Sequence, residues 1–108
     1  IKAGEWLYCS GQIALDPSTG LMIGSGDIEK ETRQVLTNLF AVLDSAQTTP
    51  SKVVKTSIYL VNLNDFQKVN AIYAEFFRHK VSPARACIEV AGLPKGALVE
   101  IDCVAWLG

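Results

Sequence analysis

The sequence predicts an α+β fold in which two helices lie on one face of a single sheet. Three observations carry this: two stretches with apolar residues at helical spacing, several short stretches that alternate, and an order without repeats or linkers. That order is strand, strand, helix, strand, helix, strand, strand. At 108 residues the chain is expected to form one domain, 1–108, with a small but real core.

Trp6 to Ile13 alternates Trp6, Tyr8, Ser10 and Gln12 against Leu7, Cys9, Gly11 and Ile13, the period of a strand. The turn cluster Asp16, Pro17, Ser18, Thr19, Gly20 and a short apolar pair follow, so a hairpin is expected. Gly11, inside the strand, permits a bulge or a close approach of backbone to ligand. From Ile28 to Ala46 the residues Ile28, Val35, Leu36, Leu39, Phe40 and Leu43 recur at helical spacing, with Asp27 placed as the cap and charge on the opposite face. Val53 to Val61 reads as a strand, Val54, Thr56, Ile58 and Leu60 against Val53, Lys55, Ser57, Tyr59 and Val61. Asn64 or Asp65 can cap a second helix with an apolar stripe of Phe66, Val69, Ile72, Tyr73, Phe76 and Phe77, which Ser82 and Pro83 stop.

Two strands joined by Gly92 to Gly96 close the chain. In the first, Arg85, Cys87 and Glu89 share one face and Ala86, Ile88 and Val90 the other. In the second, Glu100, Asp102, Val104 and Trp106 stand opposite Val99, Ile101, Cys103 and Ala105. If each strand turns its more apolar side to the helices, the uncovered face carries Trp6, Tyr8, Ser10, Gln12, Lys55, Ser57 and Tyr59. Arg85, Cys87, Glu89, Glu100, Asp102, Val104 and Trp106 join them there. Such a face is too aromatic for water, and subunits are expected to bury it together.

Ten Lys plus Arg against eleven Asp plus Glu give a net charge of -1. This supplies neither a basic field for nucleic acid nor a polybasic patch for an anionic membrane. The apolar runs are strand-sized, short of the roughly 20 residues of a spanning helix. The expected partners are small molecules and other protein chains, with no nucleic acid and no membrane. Three cysteines, an odd number without CxxC spacing, favour a reducing, cytoplasmic compartment. The chain opens at Ile1 without a methionine and runs almost at once into a strand, so further residues are expected upstream and an organellar targeting peptide there stays open.

Charges inside strands need a reason. The Arg85 guanidinium is a fork suited to two-point recognition of a carboxylate, and beside Glu100 it is the raw material of a site for a small anion. The competing reading is a structural ion pair of Arg85 with Glu89 or Glu100. Asp102 reads as a rim residue, Cys87 as packing rather than a nucleophile, and Cys9 and Cys103 as core. His79, the single histidine, sits between Arg78 and Lys80 where it suits a helix terminus. It assembles neither a metal cluster nor a Ser, His, Asp triad. Asn70, from its neighbours alone, is an exposed helix position. No glycine motif for a phosphate loop is present.

The segments Tyr8-Cys-Ser-Gly-Gln-Ile13, Val54-Lys-Thr56, Asn64-Asp-Phe66, Val69-Asn-Ala-Ile-Tyr73, Pro83-Ala-Arg85, Val90-Ala91, Leu93-Pro-Lys95 and Glu100-Ile101 together resemble the reactive intermediate (enamine/imine) deaminase A family, also called YjgF or UK114. The likeness runs over nearly the whole chain. It implies a chorismate-mutase-like fold, one mixed sheet with two helices on one face, assembled as a homotrimer with an inner barrel and clefts between subunits. It also implies hydrolysis of 2-imino acids such as 2-iminopropanoate and 2-iminobutanoate, released by pyridoxal-phosphate enzymes, to 2-oxo acids and ammonia.

Carried over by position, the resemblance places the substrate carboxylate on Arg85 and the attacking water near Glu100. Ser10, Gly11, Asn70 and Cys87 line the cleft. No metal or cofactor is needed, because an iminium carbon is already electrophilic. A Gly-Pro-Tyr segment that precedes the first strand in the family, with a cleft tyrosine, is absent from this sequence. Two other functions attach to the resemblance: a regulatory trimer that binds 2-oxo acids without turnover, and an endoribonuclease or translation inhibitor. The net charge and the single histidine argue against the last.

Overall fold

The structure, a computed structural model, describes residues 1–78 and 81–108. Five strands, β1 (Lys2–Ala3), β2 (Trp6–Gln12), β3 (Val53–Leu60), β4 (Ala84–Glu89) and β5 (Val99–Trp106), form one sheet in the order β1-β2-β5-β3-β4. Only β3 and β4 run parallel. That pair needs a crossover, and helix α2 (Phe66–Phe76) supplies it, while α1 (Ile28–Ser45) links β2 to β3. Both helices lie on the same sheet face.

The core is the product of the alternation read from the sequence. Leu7 and Cys9 of β2, Ile58 and Leu60 of β3, and Val99, Ile101, Cys103 and Ala105 of β5 face Val35, Leu36, Leu39 and Leu43 of α1 and Val69, Ile72 and Tyr73 of α2. Asp27 caps α1 as expected, its Oδ1 accepting the backbone N–H groups of Glu29 and Lys30, both at 3.1 Å. At α2 Asp65 takes the N-cap position as expected, but its side chain makes no capping hydrogen bond, and the side-chain cap falls one turn earlier. Asn62 accepts the N–H of Asn64 at 3.0 Å, because the helix is entered through a 3₁₀ turn over Leu63–Asp65.

Four other expectations need correction. The hairpin after β2 keeps its turn, with Asp16 Oδ1 accepting from Ser18 N–H, but its second arm is a single bridge, Leu15 to Met22. The partner strand of β2 is instead β1, reached through Gly4 at φ 60. A bulge between Cys9 and Gln12 shifts the phase of β2, so that Gln12 pairs with the core-facing Ile101 rather than joining the open face. A second irregularity between Val53 and Lys55 buries Val53 and leaves Val54 exposed. Neither bulge can be heard in a simple alternation, because one extra residue inverts every later side chain.

The fourth correction matters most. Arg85, Cys87 and Glu89 pair in register with Thr56, Ile58 and Leu60, which point to the helices. In-register neighbours in a sheet share a face, so this polar row of β4 lies on the helix side, not on the open one. The edge strand can do this because Arg85 and Glu89 stay exposed there, Cys87 is only half-buried, and the Arg85 guanidinium lies over the Phe66 and Tyr73 rings. Ala86 and Ile88 take the open face instead. That face is as aromatic as expected: Trp6 pairs with Trp106 and Tyr8 with Val104, and Trp6, Tyr8, Ile88 and Trp106 remain 42–51% exposed.

Charge is also not confined to the outer side of α1. Glu31 is fully buried, its Oε1 accepting from Leu98 N–H at 2.9 Å and its Oε2 from Gly26 N–H at 3.0 Å. One carboxylate therefore ties the loop before α1 to the entry of β5. Glu31→Gln turns an amide N–H toward one of these donors, and a loss of about 2 kcal/mol in unfolding free energy is expected by urea titration. An unchanged midpoint would contradict the clamp.

Candidate functional site

Phe66, Asn70 and Tyr73 follow one another at i, i+4 and i+7 on α2, which sets them on one helix face above the start of β4. Arg85, the second residue of β4, reaches into that row. Its NH1 donates to Asn70 Oδ1 at 2.5 Å, and its guanidinium carbon lies 5.5 Å from the Phe66 ring centroid and 5.0 Å from that of Tyr73. Cation–π contact holds the charge without consuming its hydrogen bonds. Asn70 uses one N–H of five, so the rest of the fork stays open to a ligand.

Among the described residues no carboxylate pairs with Arg85. The only ion pair there is Arg33 with Glu75, 2.8 Å apart between the helices. Glu89, one of the expected competitors, instead accepts the N–H of Leu63 at 2.9 Å, and Glu100 stands on the other sheet face. Beside the arginine opens a cavity of about 480 Å³ lined by Leu63, Asn64, Phe66, Gln67 and Cys87. Desolvation raises the Cys87 thiol above its ordinary pKa, a shift that the nearby Arg85 charge only opposes. At neutral pH it is a protonated lining group, not a thiolate nucleophile.

Glu100 belongs to a second cluster. It pairs with Tyr59, so it sits half-buried on the open face, and its carboxylate lies over the backbone of Gly11. A Cβ on Gly11 would fall 2.4 Å from Glu100 Oε2 and 2.7 Å from its Cδ. The bulge that misphased β2 is the device that brings Ser10 and Gly11 there, two residues set against Asp102. Among the described residues no hydrogen-bond donor occupies the Glu100 carboxylate, whereas Asp102 accepts from Tyr59 Oη at 3.1 Å. Gly11→Ala is expected to displace the carboxylate while the fold persists. Any turnover that depends on Glu100 should drop by about 100-fold, the scale of a 1 Å misplacement, in a steady-state assay.

One chain thus gathers Arg85, Asn70 and Cys87 at the helix-side margin and Ser10, Gly11 and Glu100 on the open face. It does not join the two groups: β3 runs between β4 and β5, and the faces are opposite. His79 lies outside the described residues. Among those described, no three His, Cys, Asp or Glu side chains could hold a metal ion together. A second hollow of about 390 Å³, between α1 and the turn after β2, includes Asn38, whose amide already donates to Ile13 O and Leu15 O. Phe66, Tyr73 and Thr56 escaped the residue-level reading because they fit the apolar stripe and the strand core. The signal was the polar Asn70 set between two aromatics on one helix face.

A single mixed sheet backed by two helices, with an arginine held open beside a small cavity, defines a small-ligand-binding α+β domain. The family described as Endoribonuclease L-PSP matches residues 1–107, and the chain belongs to it; this is the family that the sequence segments resemble under the YjgF and Rid names. A RutC family protein of Synechocystis is 53% identical over 107 residues, covering 99% of this chain and 82% of the relative. A human protein named 2-iminobutanoate/2-iminopropanoate deaminase is 44% identical over 102 residues, covering 94% and 73%. The crystal structure of a Rid family protein of unknown function from Yersinia pestis superposes with a TM-score of 0.93 at 50% identity, covering 97% and 82%. Among the described residues, no helix is long and apolar enough to cross a membrane.

Proposed function

We propose that the chain hydrolyses 2-imino acids, such as 2-iminopropanoate and 2-iminobutanoate, to 2-oxo acids and ammonia. Its catalytic unit is a homotrimer. The observation that carries this reading is the guanidinium of Arg85, held by Asn70 and two rings beside a cavity, with no carboxylate partner among the described residues. The human relative's name supports the substrate class.

Arg85 takes the substrate carboxylate and orients the iminium carbon. Glu100 accepts a proton from water as it adds to that carbon and gives it to the nitrogen. It then takes the hydroxyl proton as the ketone forms and ammonia leaves, and passes that proton to the ammonia. Water and the iminium ion thus become a ketone and ammonium, with no net redox change. Since one chain separates these residues, the site takes Arg85, Asn70 and Cys87 from one copy and Ser10, Gly11 and Glu100 from its neighbour. The aromatic open face supplies the surface for that association. The net charge of -1 gives no field for RNA despite the family's description, and three free thiols fit a reducing, cytoplasmic compartment.

The test couples the protein to a threonine or serine dehydratase. Purified protein should speed decay of the released imine to the 2-oxo acid beyond the rate in water. Binding of 2-oxobutanoate without any acceleration would reject the enzyme in favour of a regulatory binder, and a monomer at micromolar concentration by sedimentation would reject the shared cleft.

A further inference from the structure

We propose that Tyr73 is a positioning residue for the carboxylate anchor: its ring, moored through its hydroxyl to Thr56, fixes the Arg85 guanidinium in its ligand-receiving orientation. The proposal rests on the role given to Arg85 above. A long side chain on an edge strand samples many rotamers, and ordering it only when ligand arrives subtracts from affinity. Arg85 is exposed, so burial alone does not restrain it.

Of its three contacts, Phe66 and Asn70 are only half-buried. Tyr73 is 5% exposed and is itself immobilised. Its hydroxyl and Thr56 Oγ1 are 2.8 Å apart in the core, and its ring centroid lies 4.6 Å from that of Phe77. Thr56 is in turn the in-register partner of Arg85 on β3. The contacts therefore close a loop: Arg85 backbone beside Thr56, Thr56 hydroxyl to Tyr73 hydroxyl, Tyr73 ring to Arg85 guanidinium. Both ends of the arginine are referred to one rigid frame.

A buried hydroxyl pair is an odd choice for stability alone, because two apolar residues of the same shape would serve about as well. Its use is to hold the ring at one height over the strand. Burial raises the phenol above its ordinary pKa, against smaller opposing effects of Thr56 and Arg85. Tyr73 stays neutral, and no phenolate competes with a substrate carboxylate for the guanidinium.

The test compares kcat/KM for imine hydrolysis in the wild type, Tyr73→Phe, Arg85→Ala and the double variant. With Arg85 present, loss of the hydroxyl should lower kcat/KM by about three- to tenfold, the worth of ordering one long side chain. With Arg85 removed, the same change should cost almost nothing. Equal losses in both backgrounds, or none in either, overturn the positioning role.

A second readout does not depend on turnover: exchange of the Arg85 Nε–H with water, followed by NMR. It should quicken in Tyr73→Phe and equally in Thr56→Val, which cuts the mooring from the other side. Unchanged exchange in both also overturns the proposal. Failure of the deaminase reading looks different, because the wild type itself would then not speed imine decay beyond the rate in water, while the exchange arm still reports on Tyr73.

Discussion

Replacing Arg85 by alanine is expected to lower kcat/KM for imine hydrolysis by roughly 30-fold to several thousandfold, equivalent to about 2–5 kcal/mol for a desolvated charge contact. The size of the loss carries information beyond its direction. In the single chain the guanidinium is exposed, and an ionic contact in open water is worth at most about 1 kcal/mol, or roughly fivefold. Only a neighbouring copy closing over the cavity beside Phe66 and Cys87 can raise the contact to the larger range. A loss below about fivefold in the coupled assay would therefore count against the shared cleft even if the deaminase activity itself stood. Arg85→Lys should fall between, since a lysine keeps the charge but not the fork. Stability should hardly change, because the half-buried Asn70 is placed to turn to water when its donor is gone.

Most of the architecture is legible in the residues because the two periods, 3.6 and 2, are clean where the core is deep. The stripe of Val35, Leu36, Leu39 and Leu43 and the alternation of Val99, Ile101, Cys103 and Ala105 leave one reading each. Legibility fails where a single inserted residue or a sheet edge breaks the rule. The bulge at Ser10 and Gly11 inverted Gln12, and the irregularity at Val54 inverted Val53. Strand β4 is a six-residue edge whose two charges, Arg85 and Glu89, share one face with Cys87 while Ala84, Ala86 and Ile88 take the other, so hydrophobicity points the wrong side to the helices. There the register with β3 decides, and register is a tertiary fact.

The consequence for the site is direct. Periodicity alone put Arg85 and Glu100 on one face, while the ladder pairing sets them on opposite faces with a strand between. Family likeness named residues that the structure sets in two separate groups but carried no information on why Arg85 is held still. That answer lies in Tyr73 and Thr56, residues whose types look like ordinary core.

Changing Glu100 to glutamine separates binding from chemistry. The amide cannot take a proton from water, so kcat for imine hydrolysis should fall by about 10²–10⁴-fold. Binding of 2-oxobutanoate, which depends on Arg85, should stay within a few-fold of wild type by calorimetry. The same variant then reports on the assembly. If Arg85 and Glu100 of one site come from different copies, unfolding and reassembling Arg85→Ala with Glu100→Gln in equal amounts creates interfaces that inherit both intact residues. In a closed ring with random mixing this happens at about one interface in four, because the two contributing chains are drawn independently. About a quarter of wild-type activity should return from two nearly inactive proteins. Were both residues of a site supplied by the same chain, every site in the mixture would carry one defect and no activity would come back. That outcome would contradict the opposite-face geometry of β4 and β5, the feature from which the intersubunit site was inferred.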